Sequence, residues 1–305
     1  MGEKVFRDTR IQIGILKSRG IIIKNKKWAK QVLRQINYYN LINGYKEPFI
    51  KPGCINESYI DGTKFEEIYA LYEFDRRLRL VILEAILEIE KQIKSIISYT
   101  FSKEHGHKDY LNYSNFNASD ANKHKQVSRL FCSIHSKIFN NIDNDASVAH
   151  YVGDKNYIPL WVLVNTISMG DISKFYSNML QSDREEVAKR FKWGIRENQL
   201  SSCLFYLSAV RNRCAHDERL YSYLSKANLY ANNYFKYFKI AKETNNLFAA
   251  MVALKMTLSN KRYISFQNEV EKLLNDLSSK LTTIPIKKIR EYMGFPNNWK
   301  NLGKL

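Results

Sequence analysis

Apolar residues recur at three- and four-residue steps along most of this chain, and those steps predict helices. The longest run covers residues 65–101: Ile68, Leu71, Phe74, Leu78, Val81, Ala85, Ile89, Ile93 and Ile96 keep one rhythm for about ten turns, as the spine of a bundle would. A second run, Leu200, Cys203, Leu204, Leu207, Val210 and Cys214, predicts a helix with one buried face. Shorter helices are expected over 127–140, from Pro159 to Met169 with a break at Gly170 and Asp171, and from Ile172 to Leu180. Ser182 and Asp183 read as an N-cap with an acidic first turn after them. An apolar helix is expected over 247–258, then an amphipathic one through Val270, Leu274 and Leu281 that Pro285 ends. Twelve glycines and five prolines in 305 residues leave few breakers, so the fold class is all-α. Ser102 to Gln126 is rich in His, Lys, Asn and Ser and reads as a polar, mobile insertion.

Charge changes this picture. The chain has 48 Lys and Arg against 30 Asp and Glu, a net +18, which selects for polyanions. The first 51 residues hold twelve of those cations and three acids, half of the whole excess. Lys24, Lys26, Lys27, Lys30 and Arg34 lie on or just before a helix anchored by Trp28, Val32 and Leu33, and Tyr38 and Tyr39 follow. Cations interleaved with aromatics suit RNA, whose phosphates take charge and whose unstacked bases take flat faces. The domain reading is a basic segment, 1–60, packed on a helical domain, 61–305, that contains the insertion at about 102–126. No apolar run approaches the roughly 20 residues that cross a bilayer, and the start lacks a signal-peptide core, so a cytoplasmic protein without a membrane partner is expected. Cys54, Cys132, Cys203 and Cys214 have no CxxC spacing, and His105, His107 and His124 read as solvated loop residues; no metal site and no cofactor are expected.

The candidate chemistry closes the second long helix, in the stretch RNRCAHDERLY from Arg211 to Tyr221. Arg211 projects from the apolar face, where an unpaired charge costs on the order of several kcal/mol; a carboxylate, a cleft or a protein seam must receive it. Asn212, His216 and Arg219 would share the adjacent face. Imidazole exchanges protons near neutral pH, and a guanidinium fork fits phosphate. A histidine can take the proton of a ribose 2′-hydroxyl while an arginine neutralises charge growing on phosphorus, with no metal.

Three ordered motifs resemble the Abi-like (abortive infection) family of the HEPN superfamily: INYYNLINGYKEPF at 36–49, the Arg211 to Tyr221 stretch, and MGFPNNW at 293–299. The resemblance implies a HEPN-like helical bundle and a metal-independent endoribonuclease toxin used in phage defence. Its catalytic residues would be Arg211, Asn212 and His216, with Arg213 and Arg219 gripping flanking phosphates and Glu90 as the partner of Arg211. It also implies a homodimer whose two motifs share a cleft, and restraint by an antitoxin, in some relatives a structured noncoding RNA. The alternative is an RNA-binding module of a defence ribonucleoprotein that does not cut.

Overall fold

A computed structural model of the protein describes residues 5–53, 57–190, 194–242 and 244–305; Cys54 lies outside them. Helices dominate, and among the described residues there is no β-strand, only three isolated β-bridges. In chain order the helices are α1 (Thr9–Ser18), α2 (Lys26–Ile36), α3 (Phe65–His105), α4 (Ala121–Asn141), α5 (Ala146–His150), α6 (Leu160–Leu163) and α7 (Met169–Asn178). They continue with α8 (Gln181–Lys189), α9 (Glu197–Ala215), α10 (Asn233–Tyr237), α11 (Leu247–Thr257), α12 (Asn260–Lys280) and α13 (Ile286–Tyr292). None is long and apolar enough to cross a membrane among the described residues.

The 41-residue α3 is the spine, about 60 Å long at 1.5 Å per residue. Its buried stripe meets α9 and α12, which lie along it, while α11, buried at every residue, fills the space between α9 and α12. Helix α9 runs opposite to α3, because its later residues meet earlier residues of the spine: Arg211 faces Glu90, and Leu220 beyond the helix faces Asp75. The basic N-terminal segment joins the spine through Trp28, whose ring meets Phe65 and Tyr69 edge-on at 5.6 and 5.1 Å. Backbone bonds from Ile22 N–H to the Thr63 carbonyl and from Phe65 N–H to the Ile22 carbonyl add to it.

Several local expectations change. The polar stretch 102–126 does not stand apart as an insertion: Tyr110 and Phe116 are buried, and Phe116 packs against Phe101, Phe131 and Phe175. Sparse apolar residues there hid the fact that these two rings carry the packing. His105 is not solvated either; it ends α3 and its ring lies 2.7 Å from the buried Asp183 carboxylate. His124 stacks on Tyr113 at 4.5 Å. Gly170 and Asp171 do not break a helix but sit in the first turn of α7, where the Ser168 hydroxyl accepts from Asp171 N–H and the Asp171 carboxylate accepts from Ser168 N–H. Ser182 and Asp183 are likewise inside α8, whose cap is Leu180. Pro285 opens α13; α12 has already ended at Lys280.

Candidate functional site

Helix α9 ends one turn earlier than the sequence pattern suggests. Ala215 is its last residue, His216 caps it with N–H still bonded to the Asn212 carbonyl, and Asp217 turns left-handed at φ 56°. The next amide, Glu218 N–H, then reaches back to the Arg213 carbonyl at 3.1 Å, the six-to-one bond of a Schellman ending. Glycine usually takes that left-handed place, and Asp tolerates it only moderately. Here the Asp217 carboxylate is also paired with the Arg79 guanidinium of α3, which holds the turn. Asn212, His216 and Arg219 therefore do not share one helix face, and the turn decides where the last two point.

Behind the turn lies a buried lock. The Asp75 carboxylate, with no exposed surface, accepts from Leu220 N–H (3.0 Å), Tyr221 N–H (2.6 Å), the Tyr45 hydroxyl (2.8 Å) and Arg79 Nη1 (2.7 Å). Burial works to raise the Asp75 carboxyl, and the Arg79 guanidinium foremost among its partners works against that. Burial, with the nearby Asp75 carboxylate, pushes the Tyr45 hydroxyl far above its usual range, so it serves as a donor. One carboxylate thus ties together the spine, the Asn-Gly-Tyr segment of the N-terminal region and the chain just past His216. Neither Asp75 nor Arg79 stood out in the sequence. The signal was present: Leu71, Asp75, Leu78 and Ile82 lie on one stripe, so a charge interrupts an apolar face there just as Arg211 does.

His216 is exposed and lines an open cleft of about 800 Å³ with Tyr39, Arg213 and Arg219. Tyr39 reaches it because Asn37, left-handed at φ 67°, ends α2, and its side chain accepts from the N–H of Tyr39 and of Asn40 to start a new wide turn, Tyr39–Asn43. Tyr39 is 69% exposed, whereas Tyr38 packs partly against the core. Arg34 lines a neighbouring groove with Tyr38 and Tyr39; Lys24, Lys26 and Lys27 are exposed around the start of α2, and Lys30 is half-buried. The two motif arginines are largely engaged. Arg213 donates from Nε to the Arg219 carbonyl, lies 4.4 Å over the Tyr223 ring and faces Glu218 at 3.2 Å. Arg219 donates to the Gly44 carbonyl at 2.7 Å and keeps other donors at the cleft. Cys214 is no nucleophile, since burial pushes its thiol up to about 12.

Arg211 stands apart. Its Nε is 3.4 Å from Glu90 Oε2, an ion pair whose atoms make no hydrogen bond, while Glu90 Oε1 lies 2.9 Å from the Lys94 ammonium in a second ion pair. Glu90 lines a separate groove of about 420 Å³ with Lys94 and Trp161. Within one chain, then, Arg211 does not line the cleft that holds His216, and Asn212 is exposed without lining it either. Among the described residues no three His, Cys, Asp or Glu side chains gather as a metal site would require.

A search of the curated proteins found no significant match, and a search of the solved structures found none either. The sequence model described as Abi-like protein matches residues 31–222. That span covers the Tyr39 and Tyr45 segment, Asp75, Arg79, Glu90 and the Arg211 to Tyr221 stretch, and stops before the closing 293–299 motif. Matching well over half of the chain, it shows that this protein belongs to the Abi-like protein family.

Proposed function

We propose that this chain is a metal-independent endoribonuclease of HEPN type, acting in the cytoplasm as a homodimer. Membership in the Abi-like family points to abortive-infection phage defence, and an RNA-cutting toxin is the effector that the site supports best. The observation that carries the reading is the exposed His216, presented on a turn that Asp75 and Arg79 fix from behind, in a cleft with Arg219 and Tyr39. In the proposed reaction His216 takes the proton of a ribose 2′-hydroxyl, the oxygen attacks the adjacent phosphorus, and the bond to the 5′-oxygen breaks as that oxygen is protonated. Arg211 neutralises charge on the phosphoryl oxygens, and Asn212 orients the phosphate. Because Arg211 lies off the His216 cleft of its own chain, the two roles come together across a dimer seam. The basic N-terminal segment, with Arg34 beside Tyr38 and Tyr39, is proposed to hold RNA, either the target or a structured noncoding RNA that serves as antitoxin.

A second reading is favoured by one observation: Arg211 is paired with Glu90 and apart from His216, which suits an RNA-binding module that does not cut. The purified protein, given cellular RNA with EDTA, decides between them. The nuclease reading expects fragments with 2′,3′-cyclic phosphate and 5′-hydroxyl ends from the wild type and none from His216→Ala, with RNA binding retained by both. Equal cutting by the two proteins would remove His216 from the chemistry, and cutting that EDTA stops would remove the metal-free mechanism.

A further inference from the structure

The geometry points to a nucleotide-binding pocket at the end of α9 opposite the motif, where Tyr230, Tyr234 and Tyr237 line a cavity of about 740 Å³ together with Arg196, Asn198 and Lys236. The helix is 19 residues long, so the pocket opens about 27 Å from the His216 turn, and it shares no lining residue with that cleft. Its tyrosines lie beyond the residues matched by the family model.

The aromatic faces are free but held from behind. Tyr230 is 53% exposed, yet its N–H donates to Ser202 Oγ of α9 at 2.9 Å. Tyr237 is 48% exposed, its hydroxyl accepts from Asn301 at 3.3 Å, and its ring meets Phe238, which in turn meets the buried Phe248. Large apolar rings left in solvent on a fixed backing present flat faces at low entropic cost. Arg196 and Lys236 have no carboxylate partner among the described residues, and the Asn198 and Asn233 amides make no side-chain hydrogen bond there. A planar ring for the tyrosines, hydrogen-bonding edges for the amides and an anionic group for the two cations together describe a base with its phosphate. A purely apolar ligand would strand the cations, and a simple anion would leave the rings unused. The nucleotide can come free from solution or as an unpaired residue of an RNA chain.

Photo-cross-linking of the full-length protein separates these sources. The probes are 4-thiouridine monophosphate and a 2′-O-methyl oligonucleotide carrying one 4-thiouridine, which cannot be cut, and the labelled peptides are identified by mass spectrometry. Labelling of the peptide containing Tyr230 to Tyr237 by the mononucleotide supports a free nucleotide; labelling by the oligonucleotide alone supports an RNA residue. Since base stacking on an aromatic ring contributes roughly five- to hundredfold per base, Tyr230→Ala with Tyr237→Ala should weaken the binding of whichever probe labels the site at least tenfold. The two Phe substitutions should keep it. Should the alanine pair prove unfolded by circular dichroism, Arg196→Glu, an exposed charge reversal, is expected to weaken the same probe. If neither probe labels this peptide, or the folded variants bind both within twofold of the wild type, the pocket is not a nucleotide site. That failure would leave the reading of His216 untouched, since no step of the test depends on cleavage.

Discussion

Three carboxylates lie buried along the spine helix, and they are used in two ways. Glu67 and Asp75, toward the start of α3, receive backbone amides of distant loops: Glu67 takes Thr282 N–H, Thr283 N–H and the Thr283 hydroxyl, and Asp75 takes Leu220 N–H and Tyr221 N–H. Glu90, about two heptads beyond Asp75, is almost as deeply buried yet pairs only with the side chains of Lys94 and Arg211, the latter at 3.4 Å without a hydrogen bond. The first two tie the chain down, since every polar atom has a geometric mate that moves with the fold. Glu90 keeps the Arg211 guanidinium at hand without taking a hydrogen bond from it. The same contrast holds for the arginines opposite: the Arg79 side chain is 3% exposed and shared among Asp75, Asp217 and Tyr45, while that of Arg211 is 29% exposed.

Asp75→Ala should break the tied-down side most severely. Removing it leaves the buried Arg79 with only the exposed Asp217 as a charge partner and two amides without acceptors, which costs about 3–5 kcal/mol, read as a lowered urea midpoint; a loss under about 1 kcal/mol would mean that the lock does not hold the turn. Next in size, His216→Ala and Arg211→Ala should each lower RNA cleavage by roughly 10²–10⁴-fold while shifting stability by no more than about 1 kcal/mol. A large stability loss in Arg211→Ala would place it with Arg79 as a structural residue. Glu90→Gln should change stability by about 1 kcal/mol and leave the fold intact, with the catalytic effect following from a less restrained Arg211; cleavage by this variant, compared with Arg211→Ala, measures that restraint.

The smallest effect is in pH. Burial works to raise Glu67, but the Thr283 hydroxyl and the amides of Thr282, Thr283 and Lys64 outweigh it and hold the carboxyl below its ordinary value. Its folded-state affinity for a proton is thus lower than in the unfolded chain, so its stabilisation is complete above the carboxylate range and is lost as pH falls through that range. The urea midpoint should decline on acidification, and Glu67→Gln should flatten that decline.

How far these features were legible in the sequence follows from their range. The spine and the motif helix were readable because a buried stripe repeats every three or four residues whatever lies against it; α3 runs four residues beyond its predicted end, to His105. Glu90 was named as the partner of Arg211 from family resemblance, and the 3.4 Å pair is there. The role of Asp75 was not legible, because the mates of its acceptor oxygens include amides some 145 residues away, a separation that leaves no local trace. The polar stretch at 102–126 concealed two buried rings for a similar reason: Tyr110 and Phe116 find their neighbours on α3, α4 and α7 or in a distant carbonyl, that of Ile158.

The chain's periodicity by itself determined an all-α protein, its composition a net charge of +18, and its motifs the family. Only tertiary structure decided that α9 stops at Ala215, that His216 faces a cleft with Tyr39 while Arg211 turns to Glu90, and that Arg213 is already engaged. Helices announce themselves through contacts between near neighbours in sequence, whereas the direction of a side chain past a helix end depends on partners that folding alone brings within reach.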